Sequence, residues 1–143
     1  MADKPEKPAR QRIDDQLARA GWGQGTVKYV EEFLIPGEEL RDRSIRFAAS
    51  NEFADYVLLD GLHIPLAVVE AKRTSRSPLE GERQAADYAD RIKATHGVDP
   101  FIFLANGKEI LFWHRSLYAP RKVSGFYTRN DLERLAFLNR FRE

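Results

Sequence analysis

Two acidic residues and a lysine stand at the ends of apolar segments in the middle of the sequence. Asp55 precedes the run YVLL, and Glu70 and Lys72 end the run IPLAVVEAK. A charge in a buried segment is costly unless a partner compensates it. Two neighbouring carboxylates repel each other, and a divalent cation shared between them removes that cost. We therefore interpret Asp55 and Glu70 as metal ligands, with Lys72 as a positive charge beside them.

Such a group suits the hydrolysis of a phosphodiester bond. A metal polarises the phosphate and lowers the pKa of a bound water, and a lysine can orient that water or stabilise the developing charge. The chain has no cysteine and only three histidines, which are scattered, so thiolate and zinc sites are disfavoured. Carboxylate oxygens instead favour Mg²⁺, Mn²⁺ or Ca²⁺.

Polar groups in the next segments complete the candidate site. Gln84 and Tyr88 are four residues apart and therefore share one face of a helix, with Arg91 near the same stripe. Arg73 and Arg76 follow the apolar run directly and are candidate contacts to DNA phosphates. The alternative interpretation is that these five residues are ordinary solvated surface residues. The order of the candidate groups along the chain favours the interpretation as a functional site.

The elements that must position these residues follow from hydrophobic periodicity and turn signals. Their order is α-β-β-β-α-β-β-α, which predicts an α/β (α+β) fold with a mixed central sheet flanked by helices. The predicted helices cover residues 9–20, 78–95 and 128–141, and the predicted strands lie in 26–36, 53–59, 64–72, 100–105 and 109–114.

Capping residues give the clearest boundaries. Ser77, Pro78 and Glu80 form a capping-box pattern that predicts a helix start. Asn106-Gly107 predicts a hairpin turn between two strands. Thr128 is a suitable N-cap for the last helix.

The turn around Asp60-Gly61 determines whether the two carboxylates meet. A four-residue loop places Asp55 opposite Val68 and diagonal to Glu70 on one face of the sheet. That diagonal is about 7 Å between backbones, close enough for both carboxylates to share one cation. A two-residue loop keeps the shared face but moves Asp55 one step further away. We prefer the wider loop because it makes the chemistry possible.

The composition is that of one globular domain. At 143 residues, with 43% hydrophobic and 31% charged residues, the chain can bury a core of its own. The charged, proline-containing start predicts a disordered lead over residues 1–8 and a single domain over 9–143. No apolar run has membrane-spanning length and there is no signal-peptide core. The absence of cysteine makes a cytoplasmic setting the default expectation. The net charge of +1 does not by itself indicate nucleic-acid binding, although residues 108–143 carry eight Lys or Arg against four acids.

These groups, in this order, resemble the PD-(D/E)XK nuclease superfamily. More closely, the chain is similar to the N-terminal nuclease region of type I restriction enzyme R (motor) subunits, over roughly residues 9–140. The most specific part of the likeness is EAKRTSRSPLEGERQAADYA. The resemblance implies a restriction-endonuclease-like fold and Mg²⁺-dependent cleavage of double-stranded DNA, with Mn²⁺ as a substitute metal.

The resemblance also assigns roles to individual residues. It implies that Asp55 and Glu70 are the metal ligands and that Lys72 is the catalytic lysine. Gln84 and Tyr88 match the family's Gln-x-x-x-Tyr element, which supports the active site and DNA contact. An acid on the first helix often assists metal binding in this superfamily, and both Asp14 and Asp15 are candidates for it.

Two departures from the family pattern are visible. Ala54 stands where the superfamily name has proline, a position that varies among members. The chain also has no Gly-x-x-x-x-Gly-Lys-Ser/Thr loop, so no ATP site is expected in it. We therefore expect an isolated nuclease region, a truncated reading frame or a small stand-alone relative. The resemblance implies the motor region and the modification and specificity subunits of a restriction complex as partners.

Two other functions stay open. The basic C-terminal stretch is compatible with a non-cleaving DNA-binding or assembly module of a restriction-modification complex. A purely structural domain is also compatible with the sequence, and it predicts that Asp55 and Glu70 lie on different faces or far apart. The nuclease interpretation predicts that their carboxylates converge around a cavity that Lys72 and Gln84 also reach.

Overall fold

The computed structural model describes residues 6–23, 26–29 and 56–141. Within these ranges the chain forms three α-helices, one 3₁₀ turn and six strands. The helices are α1 (Glu6–Arg19), α2 (Glu82–His96) and α3 (Arg129–Arg140), and the 3₁₀ turn is Pro78–Gly81. The strands are β1 (Val27–Tyr29), β2 (Tyr56–Leu59), β3 (Pro65–Ala71), β4 (Phe101–Ala105), β5 (Ile110–Trp113) and β6 (Arg121–Val123).

The described strands form one mixed sheet whose spatial order follows the chain order from β1 to β6. β3 and β4 are parallel, and every other neighbouring pair is antiparallel. A parallel pair needs a long crossover connection, which α2 supplies. The fold class predicted from the sequence, a mixed sheet flanked by helices, is confirmed.

α1 and α3 cover one face of the sheet. Ile13 and Leu17 of α1 and Leu132 of α3 are buried in one apolar cluster with Val69 and Phe103. Beyond the end of α1, the Nε1 of Trp22 donates to the backbone oxygen of Tyr127 at 2.9 Å, and Trp22 packs into the same layer.

α2 covers the opposite face. Side chains alternate between the two faces of a strand, so Val68, which packs against Tyr88 and Ile92, and Glu70 point towards α2. Two buried clusters lie there, Tyr88 and Ile92 with Val57, Leu59 and Val68, and Ala85 and Ala89 with Ile102, Leu104 and Leu111. This is the face that carries the candidate site.

The helix ends follow the predicted caps. The Ser77 Oγ accepts a hydrogen bond of 3.2 Å from a backbone N–H two residues on, although the chain first makes the 3₁₀ turn and α2 itself begins at Glu82. Gly97 ends α2 in the left-handed conformation at φ 74°. The Thr128 Oγ1 caps α3 by accepting from the backbone N–H of Asp131 at 3.1 Å.

The turn between β2 and β3 is wider than predicted. Val68 pairs with Val57, so the prediction that it lies opposite Asp55 is wrong. The register shifts by one residue at the last residue pair of β2, and the Asp60 carboxylate accepts two backbone N–H groups inside the turn, at 2.7 and 2.9 Å. This local bonding changes the loop length, and sequence alternation alone does not report it.

Two further features differ from the predicted ones, the start of α1 and the presence of β6. α1 begins at Glu6, so residues 6–8, which were predicted to belong to a disordered lead, are helical. β6 was not predicted, because Arg-Lys-Val has two exposed charged residues and no alternating apolar pattern. It forms where Arg121 pairs with Phe112 at the edge of β5.

Arg115, just after β5, links the middle of α2 and the segment before β4. Its guanidinium bonds Asp90 of α2 at 2.9 Å and Asp99, in the segment before β4, at 2.7 Å. Burial lowers the pKa of Arg115, and the hydrogen bonds and charges of Asp99 and Asp90 outweigh this, so its pKa lies above the ordinary value. The guanidinium therefore stays charged and holds α2 in place.

None of the helices in the described ranges combines the length and the apolar character that a membrane crossing requires.

Candidate active site

Glu70 is a charged residue inside a buried strand. All seven residues of β3 are buried, and Glu70 is only 2% exposed. It lies opposite Leu104 of β4 and, two residues from Val68, faces α2. Burial of an ionised carboxylate costs several kcal/mol unless charge or hydrogen bonds compensate it. A carboxylate in this position is therefore expected to have a role beyond packing.

Lys72 lies beside this carboxylate at the end of β3. Its Nζ is 3.7 Å from Oε2 of Glu70, and its side chain is 17% exposed. The backbone N–H of Lys72 donates to the oxygen of Ala105 at 2.8 Å, which extends the pairing with β4 past the end of the strand. A distance of 3.7 Å is that of an ion pair and exceeds a hydrogen bond, so the ammonium donors are not committed to this oxygen.

Asp55, the other predicted metal ligand, lies outside the described residues. The strand that follows it starts at Tyr56, which pairs with Val69, the neighbour of Glu70 in β3. The Tyr56 hydroxyl donates to Oδ1 of Asp14 at 2.8 Å. Of the two acids considered on α1, Asp14 is therefore the one bonded to the first residue of β2.

Gln84 and Tyr88 form a pair on α2. The Gln84 Nε2 donates to the Tyr88 hydroxyl at 2.8 Å, as expected for residues that share one helix face. The Tyr88 side chain is buried at 8% exposure and packs with Val68, two residues from Glu70 on the same face of β3. The pair therefore belongs to the face of the sheet that carries Glu70.

The three predicted DNA-contacting arginines lie on the surface near this face. Arg76 is exposed, and its Nε pairs with Oε1 of Glu80 at 3.0 Å. Arg73 is half-buried in the loop between β3 and the 3₁₀ turn, and Arg91 is exposed on α2. Glu80 therefore binds Arg76, a use of its carboxylate that the capping-box pattern does not indicate.

Asn106 holds the loop that follows Lys72, whereas the sequence predicts only a turn residue at this position. It is 5% exposed, and its Nδ2 donates to the backbone oxygen of Arg76 at 2.8 Å. Its Oδ1 accepts from the backbone N–H groups of Lys108 and Glu109 at 2.9 and 2.8 Å. The amide thus ties the β4–β5 turn to the loop that follows Lys72, a contact over 30 residues that local sequence does not reveal.

Among the described residues, the site offers the Glu70 carboxylate as a candidate metal ligand. Within residues 6–23, 26–29 and 56–141, no three His, Cys, Asp or Glu side chains come together as a metal-binding group. Glu70 supplies a buried carboxylate, and the chain contains no thiol. Oxygen donors of this kind are those that Mg²⁺ and Mn²⁺ prefer.

Comparison with known proteins places the chain in a family. The model of the type I restriction enzyme R protein N terminus matches residues 38–121, more than half of the chain and a range that includes all five candidate catalytic residues. No solved structure matches the chain.

The chain is also similar to the Escherichia coli "Type I restriction enzyme EcoAI endonuclease subunit". The two are 30% identical over 96 residues, which cover 67% of this chain but only 11% of the E. coli protein. The chain thus spans a small part of that relative. The family match and the relative agree, and the chain belongs to the family of type I restriction enzyme R protein N termini.

Proposed function

We propose that this chain is the Mg²⁺-dependent DNA endonuclease domain of a type I restriction enzyme R subunit. Its reaction is hydrolysis of phosphodiester bonds in double-stranded DNA, with Asp55 and Glu70 as the metal ligands and Lys72 beside them. Mn²⁺ substitutes for Mg²⁺ in this proposal. The partners are the motor region and the modification and specificity subunits of a restriction complex.

The observation that carries the proposal is the Glu70–Lys72 pair on the buried strand β3. Replacing a buried ion pair by apolar residues is often neutral or stabilising, so stability alone does not explain why the pair is buried here. A carboxylate that is 2% exposed next to a lysine that still reaches solvent at 17% suits a site that binds a cation and an anion together. The E. coli relative is named an endonuclease subunit, which supports this class of reaction for the chain.

Each residue then has a defined task. The metal, when bound, supplies Lewis-acid stabilisation of the phosphate and an activated water. Glu70 contributes an oxygen ligand from a rigid strand. The Lys72 ammonium, whose donors are not committed to Glu70, can orient the attacking water or stabilise negative charge on the phosphate. The Gln84–Tyr88 pair lies on the helix above and offers polar groups for positioning the substrate.

Plasmid cleavage with Mg²⁺ tests the proposal. We expect Glu70→Ala and Lys72→Ala each to lower the cleavage rate by about 100-fold or more. The matched control is Glu109→Ala, because this exposed glutamate lies just before β5 and pairs with Lys122 at 3.2 Å. Equal cleavage by wild type and both site variants would identify a contaminating nuclease and end the proposal.

Calorimetry provides a test that requires neither cleavage nor the proposed partner subunits. Wild type is expected to bind Mn²⁺ with release or uptake of heat at one site, and Glu70→Ala is expected to lose that binding. The control Glu109→Ala should bind Mn²⁺ as wild type does. Unchanged Mn²⁺ binding by Glu70→Ala would contradict the assignment of Glu70 as a ligand.

A second candidate function is a non-cleaving DNA-binding or assembly module. The observation that favours it is a set of exposed basic residues on β6 and α3, namely Arg121, Lys122, Arg129, Arg134 and Arg140. It predicts DNA affinity that falls with salt and survives Glu70→Ala, without cleavage under Mg²⁺ or Mn²⁺. Fluorescence anisotropy with labelled duplex over a salt series distinguishes the two.

A further inference from the structure

Gly81 is a buried glycine at the junction of the 3₁₀ turn and α2. Its backbone has φ −91° and ψ 4°, so it needs no left-handed conformation. As the N-cap of α2 it has no side chain to bond the helix, and Ser, Asn or Asp would cap better. Neither backbone geometry nor capping accounts for glycine here.

What accounts for it is close contact with Glu70. A Cβ built on Gly81 would overlap Cγ of Glu70 and would lie 3.3 Å from its Cδ and 3.4 Å from its Oε2. The overlapping atom is in the middle of a side chain that is 2% exposed, so the side chain has little room to move aside. The start of α2 is thus packed directly against the carboxylate arm of the candidate ligand.

We propose that Gly81 is a positioning residue for Glu70. Its missing side chain lets the start of α2 approach β3 closely enough to hold the Glu70 carboxylate in its orientation beside Lys72. This inference rests on the proposed function, because the orientation matters only if Glu70 binds the metal. Gly81 would thus help to set the geometry of the site although it has no side-chain functional group.

A matched glycine on the same chain provides the control. Gly125 lies in the segment between β6 and α3, its φ is not positive, and a Cβ built on it would meet nothing within 4 Å. Gly81→Ala and Gly125→Ala are therefore the same chemical change, with and without contact to Glu70. Glu70→Ala removes the Cγ that the new methyl group would overlap.

The experiment measures two properties of wild type, Gly81→Ala, Gly125→Ala, Glu70→Ala and the double variant Gly81→Ala/Glu70→Ala. One is the urea midpoint of unfolding, which does not involve the metal. The other is Mn²⁺ affinity by calorimetry. We expect Gly81→Ala to lower Mn²⁺ affinity about tenfold or more, and Gly125→Ala to change it less than about threefold.

The urea midpoints test whether Gly81 acts through Glu70. Gly81→Ala should lower the midpoint in wild type and lower it much less in the Glu70→Ala background, because the overlap is then absent. If Gly81→Ala alone does not fold, folding of the double variant supports the proposal and its failure to fold overturns it. Equal shifts in both backgrounds, or wild-type Mn²⁺ affinity in Gly81→Ala, also overturn it. If wild type itself binds no Mn²⁺, the proposed function fails, whereas the urea midpoints still decide whether Gly81 restrains Glu70.

Discussion

The two faces of the sheet are packed by different kinds of contact. The face under α1 and α3 is one continuous apolar cluster that includes Phe103, Phe112 and Leu132, and its aromatic rings lie 5.1 Å apart at Phe103–Phe112. The face under α2 has two smaller apolar clusters. The buried Glu70 lies on the same face, and so does the polar pair of Gln84 and Tyr88.

This difference indicates that the face under α1 and α3 mainly stabilises the fold, whereas the face under α2 carries the candidate chemistry. Apolar burial contributes about 25 cal/mol per Å² and does not depend on direction, so the larger apolar cluster under α1 and α3 is expected to contribute most to stability. The face under α2 includes groups that are costly to bury, and it holds them in fixed positions by close packing and hydrogen bonds. Substitutions in the apolar cluster of the first face should change stability, and substitutions of the polar groups on the second face should change function more than stability.

The largest effect is expected from breaking the apolar face. Phe103 is fully buried and packs against the rings of Phe112, Phe126 and Tyr127. We expect Phe103→Ala to lower the free energy of unfolding by about 3–5 kcal/mol, measured by urea denaturation. Phe137→Ala on α3 is the control, because that ring is 52% exposed and should cost little. A loss below about 1 kcal/mol for Phe103→Ala would mean that this face does not dominate stability.

On the α2 face, Glu70→Gln should lower the DNA cleavage rate much more than it changes stability. The amide keeps the volume that packs against Gly81 but removes the charge. We expect the DNA cleavage rate to fall about 100-fold or more, while the free energy of unfolding changes by less than about 2 kcal/mol, since Lys72 reaches solvent. Parallel assays on Glu109→Gln, an exposed glutamate, should match wild type. Retained cleavage by Glu70→Gln would remove the distinction between the faces.

Asn106→Asp tests the connection between the sheet and the loop after Lys72. Aspartate keeps the acceptor for the β4–β5 turn but cannot donate to the backbone oxygen of Arg76. We expect a loss of about 1–3 kcal/mol in stability and weaker DNA binding, measured by urea denaturation and anisotropy. Asn130→Asp, the same change at an exposed position in the first turn of α3, should be neutral or slightly stabilising. Unchanged DNA binding by Asn106→Asp would show that the loop needs no such anchor.

The smallest effect is expected where the α2 face meets solvent. Glu80→Gln removes the exposed partner of Arg76 and should raise DNA affinity about two- to threefold, with a steeper salt dependence. Glu133→Gln is the counterpart, since it releases Arg129 from an equivalent pair on α3. An increase for Glu133→Gln without one for Glu80→Gln would place the DNA on the α3 side and favour the non-cleaving module.

Much of the fold was predictable because local signals and burial agree. The caps at Ser77 and Thr128, the turn at Asn106-Gly107 and the alternation of apolar residues fixed the element order. The register of β2 and β3 was not predictable, because it depends on the hydrogen bonds that Asp60 makes inside its own turn. β6 was missed because its strand conformation comes from pairing with β5 and not from its own composition.

In the candidate site, too, some features follow from local sequence and others depend on contacts between distant segments. The neighbours Glu70 and Lys72 follow from strand periodicity, and the Gln84–Tyr88 pair follows from helix periodicity. The contributions of Asn106 and Gly81 come from contacts between distant segments, which no local pattern encodes. The convergence of Asp55 with Glu70 stays a prediction, because Asp55 lies outside the described residues.

The most direct test of the central claim is a crystal of the protein soaked in Mn²⁺ and measured for anomalous scattering. The proposed function predicts a peak at carboxylate-ligand distance, about 2.1 Å, from an oxygen of Glu70, with Asp55 in the same coordination sphere and Lys72 adjacent. A well-ordered Glu70 that contacts Lys72 but no metal at saturating Mn²⁺, or a Mn²⁺ ion held elsewhere, would contradict it.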